Sequence, residues 1–458
     1  MREGAAATAL DMPESAFFPA APESPSPSQD LVQRLCSIPN DSAIMLLILA
    51  ALWATIVTPA LTAPSTSSPL RPSQDPWYTT PLGFEAASPG AVLRLRSAPG
   101  NVTRIFNGSS AAYNFLYRTT DSRYQPSWAV TTLLIPKQSN GSALLSYQIP
   151  YNSVDIDAVP SFALYDPAFT GTPPIYSDIQ SALSLGWYVN IPDFETHTAS
   201  FGVGITEGHA TLDSVRAVLT TGFDLATDAR YALWGYSGGS IASEWAAELQ
   251  AQYAPELSFA GAAIGGTVPN ATTILTGAPG QWWAGLLQEA LLGLTVEYPA
   301  ARDYLLSQLK LTGPYNRTGF LVAENFGVEQ AFAVYASQPL FEYFVDGYES
   351  LLAPILQNIY NNNGYMGYHG IPQMPLYFYK ATHDEIAPID AVDELVSRYC
   401  GVGVNILYER NSIGGHLAEE INGDARAFRF LQAVLGGTYN HTGCTVSDVA
   451  LNATDSTL

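Results

Sequence analysis

Ser237 lies in Gly235-Tyr236-Ser237-Gly238-Gly239, the one match to the pattern Gly-x-Ser-x-Gly in the sequence. An apolar run precedes the motif and a helical pattern over Ser240 to Tyr253 follows it, so we expect a sharp turn between a strand and a helix. Such a turn exposes a serine hydroxyl for nucleophilic attack, and glycines permit its strained backbone. A small-residue turn that only lets strand and helix pack is the alternative. The context favours a nucleophile.

A serine hydroxyl attacks well only when a histidine accepts its proton and a third group orients that histidine. His416, in Gly414-Gly415-His416-Leu417, follows the last predicted strand and comes after Ser237, as the chain order serine, acid, histidine requires. We therefore predict His416 as the base. The remaining histidines fit this order or position less well: His197, His209, His369, His383 and His441.

The predicted acid is Asp384. It follows the apolar strand Pro375 to Ala381, which places its carboxylate at the carboxyl edge of the sheet, beside the nucleophile turn. Glu385 is the alternative acid. Asp390 and Asp393 are better explained as residues at the start of a helix, where carboxylates satisfy free N–H groups.

Attack on a carbonyl group creates an oxyanion that needs two backbone N–H donors. One normally comes from the residue after the nucleophile, here Gly238, and the other from an earlier loop that follows a strand. Asp193 is the predicted second donor, because it follows Trp187-Tyr188-Val189-Asn190-Ile191-Pro192. An ordinary turn at Asp193 is the alternative.

Strands and helices alternate along the chain, which predicts an α/β fold with a mostly parallel central sheet. The predicted strands are Val130 to Ile135, Ala143 to Gln148, Trp187 to Ile191, Tyr231 to Gly235, Phe259 to Ile264, Pro375 to Ala381 and Val404 to Tyr408. The predicted helices are Tyr176 to Leu185, Ala210 to Thr221, Ser240 to Tyr253, Asp390 to Tyr399 and Ala425 to Leu435. The alternation stops over 270–366, where leucines and aromatic residues predict an inserted, mainly helical cap. The core then consists of 77–269 and 367–458.

Composition and charge limit the function classes. The chain has 458 residues, of which 47% are apolar and 13% charged, as is typical of a packed globular protein. A formal net charge of -22 excludes the basic surface that nucleic-acid binding requires, so we expect no nucleic-acid partner.

The first 63 residues are interpreted as a leader that contains a signal peptide. The apolar run from Ala43 to Val57 matches a signal-peptide core, with Ala60 as the preferred cleavage site before a Pro- and Ser-rich linker at 64–76. A true translation start at Met45 accounts for the long segment before this run, and a single-span signal anchor is the alternative. We therefore predict a secreted protein without a stable membrane span after processing.

Acceptor sites and cysteines agree with export. Asn-x-Ser/Thr acceptors for N-linked glycans occur at Asn101, Asn107, Asn140, Asn270, Asn316, Asn440 and Asn452. Cys36 precedes the apolar run, so the processed chain keeps Cys400 and Cys444, which we expect to form a disulfide in an oxidising compartment.

Four segments together resemble the fungal secretory lipases, the lipase-A-like group. They are Trp234 to Gly239, Trp187 to Asp193, Thr382-His383-Asp384-Glu385-Ile386-Ala387-Pro388 and Gly415-His416, and the resemblance extends over roughly Asp75 to Thr445. It implies an α/β-hydrolase fold with a helical cap, Ser237, Asp384 and His416 as the triad, and Asp193 and Gly238 as oxyanion donors. Members often carry a second, earlier disulfide, for which this processed chain has no cysteines.

The resemblance implies hydrolysis of carboxylic esters, including triacylglycerols, without a metal or organic cofactor. The expected partner is an ester or lipid substrate, with a lipid–water interface as one setting for the reaction. Alternative functions are an esterase or deacetylase for small acylated metabolites, a secreted acyltransferase or peptidase, and a noncatalytic glycoprotein that keeps the hydrolase fold. The sequence leaves the oligomeric state open.

Overall fold

The computed structural model describes residues 69–139, 141–170 and 174–453. The predicted signal peptide, the first part of the linker, Cys36 and Asn140 lie outside the described residues.

Ten strands of the described chain form one sheet. Their bounds are β1 Val92–Ser97, β2 Ser109–Thr120, β3 Pro126–Pro136, β4 Ala143–Gln148, β5 Tyr188–Pro192, β6 Arg230–Tyr236, β7 Gly261–Gly265, β8 Leu376–Ala381, β9 Ile406–Asn411 and β10 Cys444–Val449. The order across the sheet is β1-β2-β3-β5-β4-β6-β7-β8-β9-β10. Pairing is antiparallel from β1 to β5 and parallel from β5 to β10. The predicted mostly parallel sheet is confirmed.

Helices connect these strands and also fill the long segment between β7 and β8. Their bounds are α1 Val102–Ile105, α2 Pro160–Ala163, α3 Pro167–Thr170, α4 Ile175–Ser184, α5 Gly204–Thr221, α6 Gly238–Tyr253, α7 Thr272–Gly277, α8 Leu286–Val296, α9 Pro299–Ser307, α10 Arg317–Leu321, α11 Val328–Tyr335, α12 Pro354–Asn363, α13 Ile389–Gly401 and α14 His416–Leu435. Short 3₁₀ helices occur at Pro72–Gln74, Phe84–Ala86, Val322–Asn325, Leu340–Tyr343 and Gly347–Leu351. No helix in the described part of the chain combines the length and apolar character needed to cross a membrane.

Both faces of the sheet are covered by helices. Leu144 and Leu233 belong to a core cluster with residues of α5, α6 and α13, whereas their neighbours Leu145 and Trp234 belong to a cluster with residues of α4 and α14. Alternate side chains of a strand point to opposite faces, so a strand covered on both faces is apolar throughout. This explains why β4 and β8 are mostly apolar and why every residue of both strands is buried.

The segment between β7 and β8 contains α7 to α12 and has a hydrophobic core of its own. The central helix α8 is buried through ten of its eleven residues. The same cluster includes Ile386 and Ala387, which follow the predicted catalytic acid. The insertion therefore packs directly against the loop that carries Asp384. Its predicted limits at 270 and 366 stay a prediction.

Some elements differ from the sequence-based expectation. The strands β1, β2 and β10 were not predicted, and α14 begins at His416 rather than at Ala425. Gly414, Gly415 and Gly423 make the start of α14 look like a loop. In the structure, α14 packs against the Tyr379 ring at Gly423, where a methyl group would lie 2.1 Å from that ring. Tertiary packing therefore outweighs the low helix propensity of glycine.

The predicted disulfide between Cys400 and Cys444 is confirmed. It joins the end of α13 to the first residue of β10, with Cα atoms 5.6 Å apart. Since β10 pairs with β9, the strand that leads to His416, the bond fixes the edge of the sheet next to the candidate site.

Candidate active site

The predicted nucleophile lies on the sharp turn between β6 and α6. Ser237 has φ 50° and ψ -124°, a conformation that residues other than glycine rarely adopt. Its N–H donates to the Gly265 carbonyl at 2.9 Å, which ties the turn to β7. A methyl group on Gly235 would lie 2.1 Å from the Gly239 carbonyl oxygen, and one on Gly239 would lie 1.9 Å from that of Gln148. Backbone contacts therefore require these two glycines.

Hydrogen bonds join the three residues of the predicted triad. Ser237 Oγ is 2.8 Å from His416 Nε2, and His416 Nδ1 is 2.7 Å from Asp384 Oδ2. Asp384 follows β8 and His416 begins α14, so both lie at the carboxyl edge of the sheet where β6 also ends. The structure thus brings together residues that are far apart in the chain, in the arrangement of a nucleophile, a base and an orienting acid.

The carboxylate of Asp384 is fully hydrogen-bonded. Its Oδ1 accepts the N–H groups of Ile386 and Ala387 at 3.0 and 2.7 Å, and its Oδ2 contacts both His416 and Lys380 Nζ at 2.7 Å. Burial alone would raise the pKa of Asp384, but its hydrogen bond to His416 and the charges of His416 and Lys380 hold this pKa well below its ordinary value. Asp384 is therefore ionised at neutral and mildly acidic pH.

Sequence reasoning missed Lys380. The signal was present as one charged residue in an otherwise uncharged predicted strand, four positions before Asp384. Glu385, the alternative acid, has another role: its Oε2 accepts the His416 backbone N–H at 2.9 Å. It thus satisfies a free N–H group at the first turn of α14.

The prediction that Asp193 is the second oxyanion donor is wrong. Its N–H donates to the Val130 carbonyl at 2.8 Å and so extends the pairing of β5 with β3. Its carboxylate accepts the N–H and hydroxyl of Ser161 at 2.8 and 2.5 Å, and burial raises its pKa to about 7. Asp193 therefore holds two loops together, and its N–H is already bonded to another residue.

Asn152 lies directly beside Gly238, the other predicted oxyanion donor. The strand β4 is the direct neighbour of β6, so the loop after β4 runs beside the nucleophile turn. A methyl group on Gly238 would lie 1.7 Å from Asn152 Oδ1, which shows how closely the two residues approach. Asn152 has φ 42°, and its buried Oδ1 has no hydrogen-bond partner among the described residues. The strained backbone and the unsatisfied amide oxygen mark Asn152 as a residue beside the reacting centre, and its Nδ2 group is the part of the side chain that can donate a hydrogen bond to a substrate oxygen.

Buried carboxyl groups support the loop that carries Asn152. Glu195 Oε2 accepts the Ser153 N–H at 3.3 Å, and Glu289 Oε2, from the cap helix α8, accepts the Val154 N–H at 2.9 Å. Burial raises the pKa values of both glutamates. Because Glu289 belongs to the insertion, the cap contributes to the shape of the site.

A cavity of about 1420 Å³ opens at Ser237 and His416. The cap contributes Trp282, Leu286 and Phe332 to its lining, and the segments around α1 to α4 contribute further residues. Most of the exposed lining is apolar, and polar or charged side chains also border the cavity, including Arg71, Asn101, Arg104, Asp155, Asp157, Glu329 and Glu420. Within residues 69–139, 141–170 and 174–453, no cluster of His, Cys, Asp or Glu has the arrangement of a metal site.

Comparison with known proteins agrees with this geometry. The family described as secretory lipase matches residues 176–443. The chain is 46% identical to a trichothecene C-3 esterase from Fusarium sporotrichioides over 89% of this chain and 94% of that protein. It is 38% identical to lipase A from Arthroderma benhamiae over 83% of each chain.

The fold has close structural relatives. The crystal structure of Candida antarctica lipase A in its closed state matches with a TM-score of 0.77 and 28% identity, over 84% of this chain and 91% of that chain. These similarities cover both halves of the core and the insertion between them. The protein has an α/β-hydrolase fold and is a carboxylic ester hydrolase, and the chain belongs to the secretory lipase family.

Proposed function

We propose that this protein is a secreted serine esterase that forms an acyl-enzyme on Ser237. The observation that carries the proposal is the continuous path of hydrogen bonds from Asp384 through His416 to Ser237, at 2.7 and 2.8 Å. Both distances fall within the range for proton transfer between a nucleophile and its base.

The reaction begins when Ser237 Oγ attacks the ester carbonyl carbon and its proton moves to His416 Nε2. Asp384 stays ionised and stabilises the imidazolium. The oxyanion accepts hydrogen bonds from the Gly238 backbone N–H and from the side-chain amide of Asn152, which presents its NH₂ after a half turn of the amide. His416 then donates its proton to the departing alkoxide. A water molecule, with His416 again as the base, releases the acid and regenerates Ser237.

Two substrate classes are candidates. Triacylglycerol is the substrate that the sequence favours, and the similarity to Arthroderma lipase A supports it. An ester of a trichothecene is the other candidate, and the 46% identity to the trichothecene C-3 esterase supports it. We propose the second class as the preferred one, because the identity to the trichothecene C-3 esterase exceeds the 38% identity to Arthroderma lipase A.

Hydrolysis of p-nitrophenyl esters of graded chain length by wild type and Ser237→Ala tests the mechanism. We expect the variant to lose roughly 10⁶-fold in kcat and to lose labelling by a fluorophosphonate. Ser243→Ala is the matched control, because Ser243 is a buried serine on α6 that bonds Gln148 and Gly239 instead of the triad. A fully active Ser237→Ala would refute the mechanism.

A second assay separates the substrate classes. Wild type is given a trichothecene that carries a C-3 acyl group, emulsified tributyrin and emulsified triolein. We expect the highest kcat/KM for the trichothecene ester and the lowest for triolein. Efficient hydrolysis of triolein with no turnover of the trichothecene ester would instead establish a triacylglycerol lipase.

A further inference from the structure

A lysine lies directly behind the candidate triad. Lys380, on β8, has only 1% of its surface exposed, and its Nζ is 2.7 Å from Asp384 Oδ2 and 3.1 Å from the Thr267 carbonyl oxygen. Asp384 Oδ2 is also the atom that accepts the hydrogen bond from His416 Nδ1 at 2.7 Å. A single carboxylate oxygen therefore contacts both the ammonium group and the imidazole.

Core packing does not account for a lysine at this position. The strand β8 is buried throughout, and its other residues are leucine, tyrosine, phenylalanine, tyrosine and alanine. Burying an ammonium group carries a large desolvation cost, which an apolar side chain of the same length avoids. Here the cost is offset mainly by Asp384, the carboxylate on which the candidate base depends.

The surrounding charges favour an ion pair. Burial lowers the pKa of Lys380, while the negative charges of Asp384, Glu385 and Glu419 act in the opposite direction. Other titratable groups that face this cluster are His416 and Tyr236, whose rings are 5.3 Å apart, and Glu420 on α14. The net charge of the Lys380–Asp384 pair is then close to zero.

We propose that Lys380 is a positioning residue of the triad: its ammonium group fixes Asp384 and offsets part of its negative charge, so that His416 stays free to accept a proton at lower pH. This inference rests on the function proposed above, because it concerns the same acid and base.

The expected effect on pH dependence has a definite sign. An isolated carboxylate favours the imidazolium, whereas a cation on the same oxygen disfavours it. His416 must be neutral to accept the Ser237 proton, so its protonation produces the acidic limb of the kcat/KM profile. The ammonium group shifts this limb to lower pH, and its removal shifts the limb to higher pH.

Lys380→Met and Lys380→Gln remove the charge, and the glutamine keeps a donor for Asp384. Lys380→Arg keeps the charge. The measurement is kcat/KM for p-nitrophenyl butyrate as a function of pH. We expect the acidic limb of this profile to shift to higher pH by about one unit or more in both neutral variants. In the arginine variant we expect the limb to stay near its wild-type position. Tyr379→Phe is the matched control, because this neighbouring buried residue bonds Trp234 Nε1 at 3.1 Å and does not touch Asp384. Active sites counted with a fluorophosphonate normalise every rate.

An unchanged acidic limb in both neutral variants would overturn the proposal. A lower kcat or melting temperature would not rescue it, because loss of a purely structural lysine also lowers these two quantities. If neither neutral variant folds, the arginine variant is compared with wild type. An acidic limb at the same pH in both supports the proposal, and a shift of about one pH unit overturns it.

Glu419 needs a separate measurement, because burial raises its pKa to about 7, within the same pH window. We expect Glu419→Gln to keep the acidic limb. If the limb is lost in this variant, the titration of Glu419 produces the limb, and the proposal is overturned. Full activity of Ser237→Ala would instead contradict the serine mechanism, so the two failures are distinguishable.

Discussion

Gly238→Ala and Asn152→Ala together form a double-mutant cycle that tests the proposed oxyanion site. The new methyl group at residue 238 would lie 1.7 Å from Asn152 Oδ1 and 2.7 Å from its Cγ. The Asn152 amide must therefore retreat by roughly 1.7 Å to reach van der Waals distance. The Gly238 backbone N–H is kept, and φ at this position is not positive, so alanine introduces no backbone strain of its own.

The expected magnitude follows from the loss of one oxyanion donor. Removal of such a donor costs about 10²–10³ in kcat, or roughly 2.7–4 kcal/mol, and a displacement of about 1 Å can cost 10²-fold. Each single variant should therefore lose about 10²–10³ in kcat/KM. The double variant should lose no more than that, because both changes remove the same amide from the same place. Independent effects would multiply to about 10⁴–10⁶.

The assay is kcat/KM for p-nitrophenyl butyrate per active site, with a thermal melt for each variant. Gly401→Ala is the matched control, since a methyl group there meets no atom within 4 Å, and we expect wild-type activity. Losses that multiply in the double variant would show that Gly238 and Asn152 act separately. Wild-type kcat/KM in Asn152→Ala would remove Asn152 from the mechanism.

Two further predictions concern stability. Replacement of Cys400 and Cys444 by serine should lower the free energy of unfolding by about 4 kcal/mol in a urea titration, because the bond closes a loop with a separation of 44 residues, and an unchanged midpoint would contradict this. Burial raises the pKa values of Glu207 and Glu420 to about 8, whereas the value in the unfolded chain is about 4.3. Their contribution to stability is therefore complete below about pH 4.3 and is lost as the pH rises through about 8. The melting temperature should thus fall between about pH 5 and about pH 8, with a smaller slope in Glu207→Gln, and a rise over this window would refute the assignment.

The sequence predicted those parts of the site that depend on local patterns. The motif around Ser237 needs only a strand, a turn and a helix that are contiguous in the chain, and its glycines are required by contacts within that turn or with the adjacent strand. Asp384 and His416 each follow a strand end, and the carboxyl ends of parallel strands share one edge of the sheet. Chain order and strand ends were therefore sufficient to find these residues.

Asn152 was missed because strand order is a tertiary property. The loops after β4 and β5 both follow buried strands, and the sequence does not tell which strand lies next to β6. The structure places β4 there, with Gln148 paired to Gly235, and leaves β5 one position further out. Lys380 was missed for a related reason, since its partner Asp384 becomes visible only when the loop after β8 folds back toward the strand.

The last strand also determines how the sheet ends. β10 is bonded to β9 on one side, and on its other side no strand of the described chain pairs with it. An open edge of this kind can add a strand from a second molecule, which is a common start of aggregation. The glycan acceptors Asn440 and Asn452 are exposed and flank β10 closely, at its start and at its end. We therefore expect sugars attached to these two residues to crowd the free edge and to reduce self-association of the protein.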